Sequence, residues 1–230
     1  MKIMICAEGT HDMGEKAWND KTRSYSERNG WIQVLLDKAA PRLRISEVMR
    51  VRRRELVSIG KVKLPAGLDG HGVKAFYAIR KAKREGCDAV IFMADADTKD
   101  KMEWAKKHQD IVDGFTAAET DKVGVPCVPK AASESWLLCD DSAWLRFDDK
   151  AKIKLPPKPE ELSGERSDPK SNHPHQMFKR ICDECGCSDS RETRCDVAND
   201  SSIAKIKEKC PLSFNAFLDD LKALEPLTKL

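Results

Sequence analysis

Apolar positions in the first two thirds of the chain fall into short continuous runs, separated by segments with helical spacing. These runs predict buried strands at residues 2–7, 88–94 and 123–128. Alternation of apolar and polar residues predicts a further strand, the second in chain order, at residues 44–51. The segments between and after them predict helices at residues 24–40, 73–84, 101–114 and 132–145. Strands that alternate with helices favour right-handed βαβ units. The pattern therefore predicts an α/β fold, with a mainly parallel sheet flanked by helices.

The pattern changes after residue 147. Residues 148–174 are rich in Lys, Pro, Ser and Glu, which is typical of a linker or a long surface excursion. Helical spacing returns at residues 176–185, 201–209 and 213–224. We therefore expect an α/β domain at 1–147, the linker or excursion at 148–174, and a helical C-terminal extension at 175–230 that packs on the domain.

Composition narrows the class of protein. Apolar residues make up 40% of the chain and charged residues 34%, so the chain can build a core. No apolar run approaches the roughly 20 residues of a membrane span, and the apolar N-terminus is too short for a signal peptide. Nine cysteines, an odd number, suit reduced thiols better than a disulfide framework. We expect a cytoplasmic protein without a membrane partner.

Acidic residues follow two of the predicted strands. Asp95 and Asp97 come directly after the third strand, and Glu8 follows the first, with Gly9 and Asp12 in the same turn. Ligands of open α/β sheets lie beyond the carboxyl ends of the strands. Two carboxylates that leave one strand end together would repel each other unless a hard cation such as Mg²⁺ joined them. The alternative is that these aspartates cap the next helix, but for the pair we expect a metal.

These motifs resemble a known family. Glu8-Gly9 after one strand, Asp95-Ala96-Asp97 after a later strand, and the segment "VPKAASESWLL" at 128–138 are similar to the Toprim superfamily. Within that superfamily, the chain resembles the small stand-alone Toprim proteins that are RloB-like or OLD-nuclease-like and are associated with phage defence. "CPLSFNAFLDDL" near the end of the chain extends the resemblance.

The resemblance implies a Toprim-like fold and a metal-dependent endonuclease, the effector of an anti-phage defence system. Glu8, Asp95 and Asp97 would be the catalytic residues. Glu8 would be the general acid or base or would share the metal, and Asp95 and Asp97 would hold Mg²⁺ or Mn²⁺. Asp12 would be a further ligand, and Glu134 would complete the acidic metal site. For Glu134, an ion pair in the first turn of a helix is an equal alternative. An ATPase partner protein is a further possibility.

Basic residues suggest the substrate. Six arginines lie within residues 42–54, and arginine favours bidentate contacts to phosphate. We predict that nucleic acid, DNA or RNA, binds at Arg50, Arg52, Arg53, Arg54 and Lys74. The alternative is a charged, solvated edge strand.

Four cysteines near the C-terminus form a second candidate cluster. Cys182, Cys185, Cys187 and Cys195 could hold one structural Zn²⁺, with His173 and His175 upstream. Their spacing is irregular, so we expect free thiols and keep zinc as the alternative.

Two other functions are consistent with the sequence. One is a non-catalytic subunit that binds nucleic acid or a partner within an ATPase-containing defence complex. The other is a small-molecule phosphatase or phosphotransferase with a nucleophilic aspartate and Lys130, and the arginine cluster argues against it.

Overall fold

The structure is a computed structural model that describes residues 1–19, 23–58, 63–148 and 153–228. Within these residues the chain forms six strands: β1 (Lys2–Ala7), β2 (Gly14–Asn19), β3 (Ser24–Asn29), β4 (Glu47–Arg52), β5 (Ala89–Met93) and β6 (Val123–Cys127). Four of them make a parallel sheet in the order β4-β1-β5-β6, and β2 and β3 form a separate antiparallel hairpin.

Helices surround the sheet. They are α1 (Thr10–Met13), α2 (Trp31–Ala39), α3 (Gly70–Arg84), α4 (Lys101–Ala117), α5 (Glu134–Leu137), α6 (Pro174–Glu184), α7 (Arg191–Asp200), α8 (Ile203–Lys209) and α9 (Ser213–Leu221). Short 3-10 helices occupy Arg53–Ser58, Asp141–Trp144, Pro159–Glu161 and Lys222–Thr228. Among the described residues, no helix has the length and apolar content needed to cross a membrane.

The two faces of the sheet carry separate cores. Alternate strand residues such as Ile5 and Ile91 pack with Trp136, Phe178 and Phe214 on one face. The intervening strand residues pack on the other face with aromatic and aliphatic side chains of α3 and α4. Because both faces are buried, the central strands are continuous apolar runs, as parallel sheets require. Helices α6 to α9 contribute to the first core and therefore form one layer of the fold.

Helices α3 and α4 approach each other at two glycines. A Cβ atom on Gly114 would lie 2.1 Å from the Gly72 carbonyl oxygen, a distance that no side chain can occupy. The absence of side chains at both positions allows the two backbones to touch. This contact holds α4 directly against α3.

The predicted fold class is confirmed: the protein is α/β, with a parallel sheet flanked by helices and a helical C-terminal part. The single helix predicted at 24–40 is wrong in its first part, because Ser24–Asn29 pairs with Gly14–Asn19 as a hairpin and the helix begins at Trp31. The helix predicted at 132–145 is instead the four-residue α5 and a separate 3-10 turn. Helix α7 was not predicted, since few of its residues are apolar.

Candidate active site

A cavity of about 500 Å³ opens at the carboxyl ends of β1 and β5. Both acidic and basic side chains line it, and they come from segments that are far apart in the sequence. The acidic residues are Glu8, Asp12, Asp95, Glu134 and Asp189, and the basic ones are Arg53, Arg166, Lys179 and Arg194, with His11 and His175 beside them. Its position agrees with the rule that ligands of α/β sheets bind beyond the strand ends.

Asp95 lies at the base of this cavity, two residues beyond the end of β5. Its Oδ1 atom is buried and has no hydrogen-bond partner. Burial raises the pKa of its carboxyl well above the usual value, and the charges of Glu134 and Asp12 raise it further. The backbone of this loop is held by Lys107, whose Nζ donates to the carbonyl oxygens of Asp95 (3.1 Å) and Ala96 (2.9 Å). The carboxyl group is thus held in a place that disfavours its charge.

Asp12 faces the same cavity from α1. The Trp31 indole Nε1 donates to its Oδ1 at 2.9 Å, which fixes the orientation of the carboxyl group. Burial raises the pKa of Asp12, although the Trp31 hydrogen bond and the charge of Arg194 oppose this effect. Two carboxyl groups of raised pKa, Asp12 and Asp95, therefore share the cavity.

Glu8 lies at the mouth of the cavity, directly after β1. Its side chain is 71% exposed and forms an ion pair with Arg53 at 2.8 Å. Arg53, whose side chain is 13% exposed, reaches the cavity from the 3-10 helix that follows β4. Glu8 is therefore accessible to a substrate, but it is paired with a cation in this structure.

Asp97 does not line this cavity. The side chains of Asp95 and Asp97 would leave together if the strand continued, but β5 ends at Met93 and Asp97 has a left-handed backbone with φ 51°. The Asp97 side chain is 60% exposed and lies 4.0 Å from His173 Nε2, in a neighbouring cavity. Neither aspartate caps the next helix, because the N-cap of α4 is Asp100, whose Oδ1 accepts from two backbone N–H groups.

Glu134 is buried at the first position of α5 and is fully engaged by neighbouring donors. Its Oε1 accepts from His175 Nδ1 and from Arg194 Nη2, both at 2.9 Å, and its Oε2 accepts from Ser133 Oγ. Burial on its own would raise the pKa of this carboxyl, but the His175 hydrogen bond and the Arg194 charge hold it below the usual value. Of the two alternatives for Glu134, its contacts fit the ion pair.

Arg50, predicted to bind nucleic acid, has a structural role instead. Its side chain is 8% exposed, and its guanidinium donates to the Met13 carbonyl oxygen and to the side chains of Glu27 and Gln33. These contacts tie the β2–β3 hairpin to β4, so the guanidinium is not available to phosphate. Within the predicted basic set, Arg52, Arg54 and Lys74 lie outside the wall of the cavity, and Arg53 lies in it.

Two exposed cations at the cavity mouth, Arg166 and Lys179, are not predicted from the sequence. Arg166 precedes α6 and Lys179 lies in α6, and neither side chain forms an ion pair with another described residue. His175 and Arg194 also line the cavity, from α6 and α7. No local pattern marks these residues, because their position depends on how the C-terminal helices pack against the sheet.

No family model, curated protein or solved structure matches the chain at a significant level.

The cysteines do not form one cluster. Cys182 and Cys187 are in contact, whereas the Cys195 thiol donates to the Asn29 carbonyl oxygen at 3.3 Å and lies apart from them. Burial raises the pKa of Cys185 and of Cys195 to about 11, so both are protonated thiols at neutral pH. In the described part of the chain, no three His, Cys, Asp or Glu side chains are arranged as a ready metal site.

A magnesium ion needs fewer than three protein ligands. Mg²⁺ keeps several waters and is commonly held by one or two carboxylates together with phosphate oxygens of the substrate. Asp95 offers a buried oxygen without a partner, and Asp12 offers a second carboxylate close enough to raise the Asp95 pKa. A divalent cation would remove the cost of ionising both groups. The residues present therefore fit a hard divalent ion held by Asp95 and Asp12.

Proposed function

We propose that this protein is a metal-dependent nuclease that hydrolyses phosphodiester bonds in nucleic acid with Mg²⁺ or Mn²⁺. One observation carries the proposal: Asp95, whose Oδ1 is buried without a hydrogen-bond partner, lines a cavity that Asp12 also lines and that cations border. Acids that hold a metal, next to cations that hold a phosphate, are the two parts that phosphodiester hydrolysis needs.

Each group of residues has a separate task in this proposal. Asp95 and Asp12 hold the ion, which when bound stabilises charge on the phosphate and polarises a water molecule. Arg166 and Lys179 bind the phosphate at the mouth, and Arg53 joins them when a phosphate competes for its pairing with Glu8. Glu8, released from Arg53, accepts a proton from the attacking water.

The resemblance to small Toprim proteins supports the same chemistry and adds a context. In that context the nuclease is the cytoplasmic effector of an anti-phage system, with an ATPase as partner. Zinc has no part in the proposal, since Cys195 lies apart from the other three cysteines.

A non-catalytic binding subunit is the second candidate. The Glu8–Arg53 ion pair and the full engagement of Glu134 favour it, because both carboxylates are occupied by protein cations. In that case the cavity would bind a phosphate group without cutting it.

A cleavage assay separates the two candidates. Purified protein is incubated with plasmid DNA, single-stranded DNA and RNA in Mg²⁺, in Mn²⁺ or in EDTA. We expect cleavage of at least one substrate in either metal and none in EDTA. Binding without cleavage under all conditions, measured by electrophoretic mobility shift, would instead establish the binding subunit.

The double substitution Arg166→Ala/Lys179→Ala should weaken nucleic-acid binding. Each lost phosphate contact lowers the slope of log affinity against log salt by about 0.9 on duplex DNA, so the double variant should lose up to about 2. Binding is measured in EDTA over a salt series. Arg42→Ala/Lys207→Ala removes the same charge at a different cavity and should leave the slope unchanged. Equal slopes for both double variants would exclude Arg166 and Lys179 as phosphate contacts.

A further inference from the structure

His175 lies in the first turn of α6 and lines the cavity. Helix α6 begins at Pro174, and His173 caps it by accepting the His175 backbone N–H on its Nδ1 atom at 3.2 Å. The His175 side chain is 16% exposed, so part of the ring reaches the open cavity. The backbone of His175 is therefore fixed by the helix cap, and part of its ring is accessible from the cavity.

The two ring nitrogens of His175 have different surroundings. Nδ1 lies 2.9 Å from Glu134 Oε1. Glu134 is held in its ionised form, and an ionised carboxylate accepts hydrogen bonds without donating them, so Nδ1 carries a proton. Nε2 has no hydrogen-bond partner among the described residues, and it is the nitrogen left to face a ligand.

Glu134 is itself fixed by a second ion pair. Arg194 donates to Glu134 Oε1 at 2.9 Å and to Asp189 Oδ1 at 2.7 Å, and its guanidinium stacks over the Phe178 ring. In many proton-transfer sites a carboxylate orients the histidine, and a further group fixes that carboxylate. His175, Glu134 and Arg194 have this arrangement. The other charged groups around His175 are His173 in the preceding loop and the cavity residues Arg166, Lys179, Asp12 and Asp95.

We infer that His175 is the general acid of the hydrolysis, oriented by Glu134. The inference rests on the proposed function. As the water oxygen bonds to phosphorus, the bond from phosphorus to the leaving oxygen breaks and its electron pair takes the proton from His175 Nε2. The proton of the water goes to Glu8, and exchange with solvent restores both residues. Glu134 acts as a positioning residue. Its carboxylate binds the His175 imidazole most strongly when both ring nitrogens carry a proton.

Substrates with a sulfur leaving atom test this assignment. Sulfur replaces the bridging 3′ or 5′ oxygen of the scissile linkage in a short oligonucleotide, and a thiolate leaves without needing a proton. His175→Ala should slow cleavage of the oxygen substrate by about 100-fold or more and leave cleavage of one sulfur substrate within about threefold of wild type. Glu134→Gln should show a smaller loss with the same relief by sulfur.

Two further variants make the result decisive. His175→Asn keeps an N–H donor toward Glu134 and should fold even where alanine does not, yet it should show the same loss on oxygen and the same relief by sulfur. His108→Ala removes a comparable histidine–carboxylate contact, with Asp220 at 2.8 Å, away from the cavity, and should cleave at the wild-type rate. Thermal unfolding confirms the fold of each variant.

The possible failures are distinguishable. Equal slowing of the oxygen and sulfur substrates, or no slowing of either by His175→Asn, would overturn the assignment of His175 while the proposed function stands. Absence of cleavage of every substrate by the wild-type protein would overturn the proposed function and the inference with it.

Discussion

Asp95→Asn is expected to abolish Mg²⁺-dependent cleavage and, without metal, to raise the melting temperature. Asparagine keeps the size of the side chain but removes a carboxylate whose oxygen is buried without a partner. Loss of that ligand should lower the cleavage rate by at least about 100-fold, because a bound metal contributes several kcal/mol to stabilising the transition state. Nucleic-acid affinity in EDTA should persist, since the cations at the cavity mouth are unchanged.

The stability effect of Asp95→Asn should depend on pH. Burial and the nearby charges of Glu134, Asp12 and Asp97 raise the Asp95 pKa, and Arg53 partly opposes them. A carboxyl whose pKa is raised by folding destabilises the native state as pH rises above its ordinary value of 3.8. The two proteins should therefore melt alike below about pH 4 and diverge above it.

A calorimetric measurement in EDTA checks this expectation. Because folding raises the Asp95 pKa, we expect the variant to melt at a higher temperature than the wild-type protein at pH 7. Mg²⁺ should raise the melting temperature of the wild-type protein and leave that of the variant unchanged, because stabilisation by a ligand requires binding. A variant that still cleaves at the original rate would exclude Asp95 as an essential ligand.

Arg194→Met is expected to destabilise the protein by about 3–5 kcal/mol, because it leaves a buried charge without its partner. The Arg194 side chain is 5% exposed and bridges Glu134 and Asp189. A loss of this size should lower the melting temperature by roughly 10 °C. Methionine fills much of the space of the removed side chain, so the loss of charge dominates the result.

The stability change caused by Arg194→Met has the opposite sign to that of Asp95→Asn, and it also depends on pH. In the wild-type protein Arg194 and His175 hold the pKa of Glu134 low, which stabilises the fold above its ordinary value of 4.5. The variant should lose most of this contribution, so the difference in stability should be largest at pH 7 and shrink as pH falls below about 4.5.

Arg146→Met is the matched control. Like Arg194, Arg146 pairs with two carboxylates, here Asp196 and Asp200 of α7. Unlike that of Arg194, its side chain is 43% exposed. Exposed ion pairs contribute about 1 kcal/mol or less. Equal destabilisation by the two substitutions would show that burial of the Arg194 pair has no special effect.

The sequence predicts the parallel sheet well because β1 and β5 are short, continuous apolar runs and β4 alternates apolar and polar residues. Such runs are characteristic of strands that are buried on both faces. The β2–β3 hairpin was missed because its strands are polar and largely exposed. Its position depends on the distant Arg50, whose contacts with Met13 and Glu27 cannot be inferred from local spacing.

The candidate site also has one part that the sequence predicts and one part that it does not. Glu8, Asp12 and Asp95 follow strand ends, so the topology of a parallel sheet places them at one edge. Residues i and i+2 of a strand point to the same side, but this rule does not apply to Asp95 and Asp97 because β5 ends at Met93. His175 and Arg194 reach the cavity through tertiary packing of α6 and α7, whose sequence carries no motif for this role.

The late position of Arg194 in the chain has a consequence during protein synthesis. A nascent chain that has reached residue 150 already contains Glu8, Asp12 and Asp95, but Glu134 still lacks both of its cationic partners. The cavity cannot be complete until Arg194 has been synthesised and α6 and α7 have folded onto the sheet. Under the proposed function, an unfinished polypeptide on the ribosome carries no working nuclease, and the nucleic acids that surround it are spared until the last helices fold.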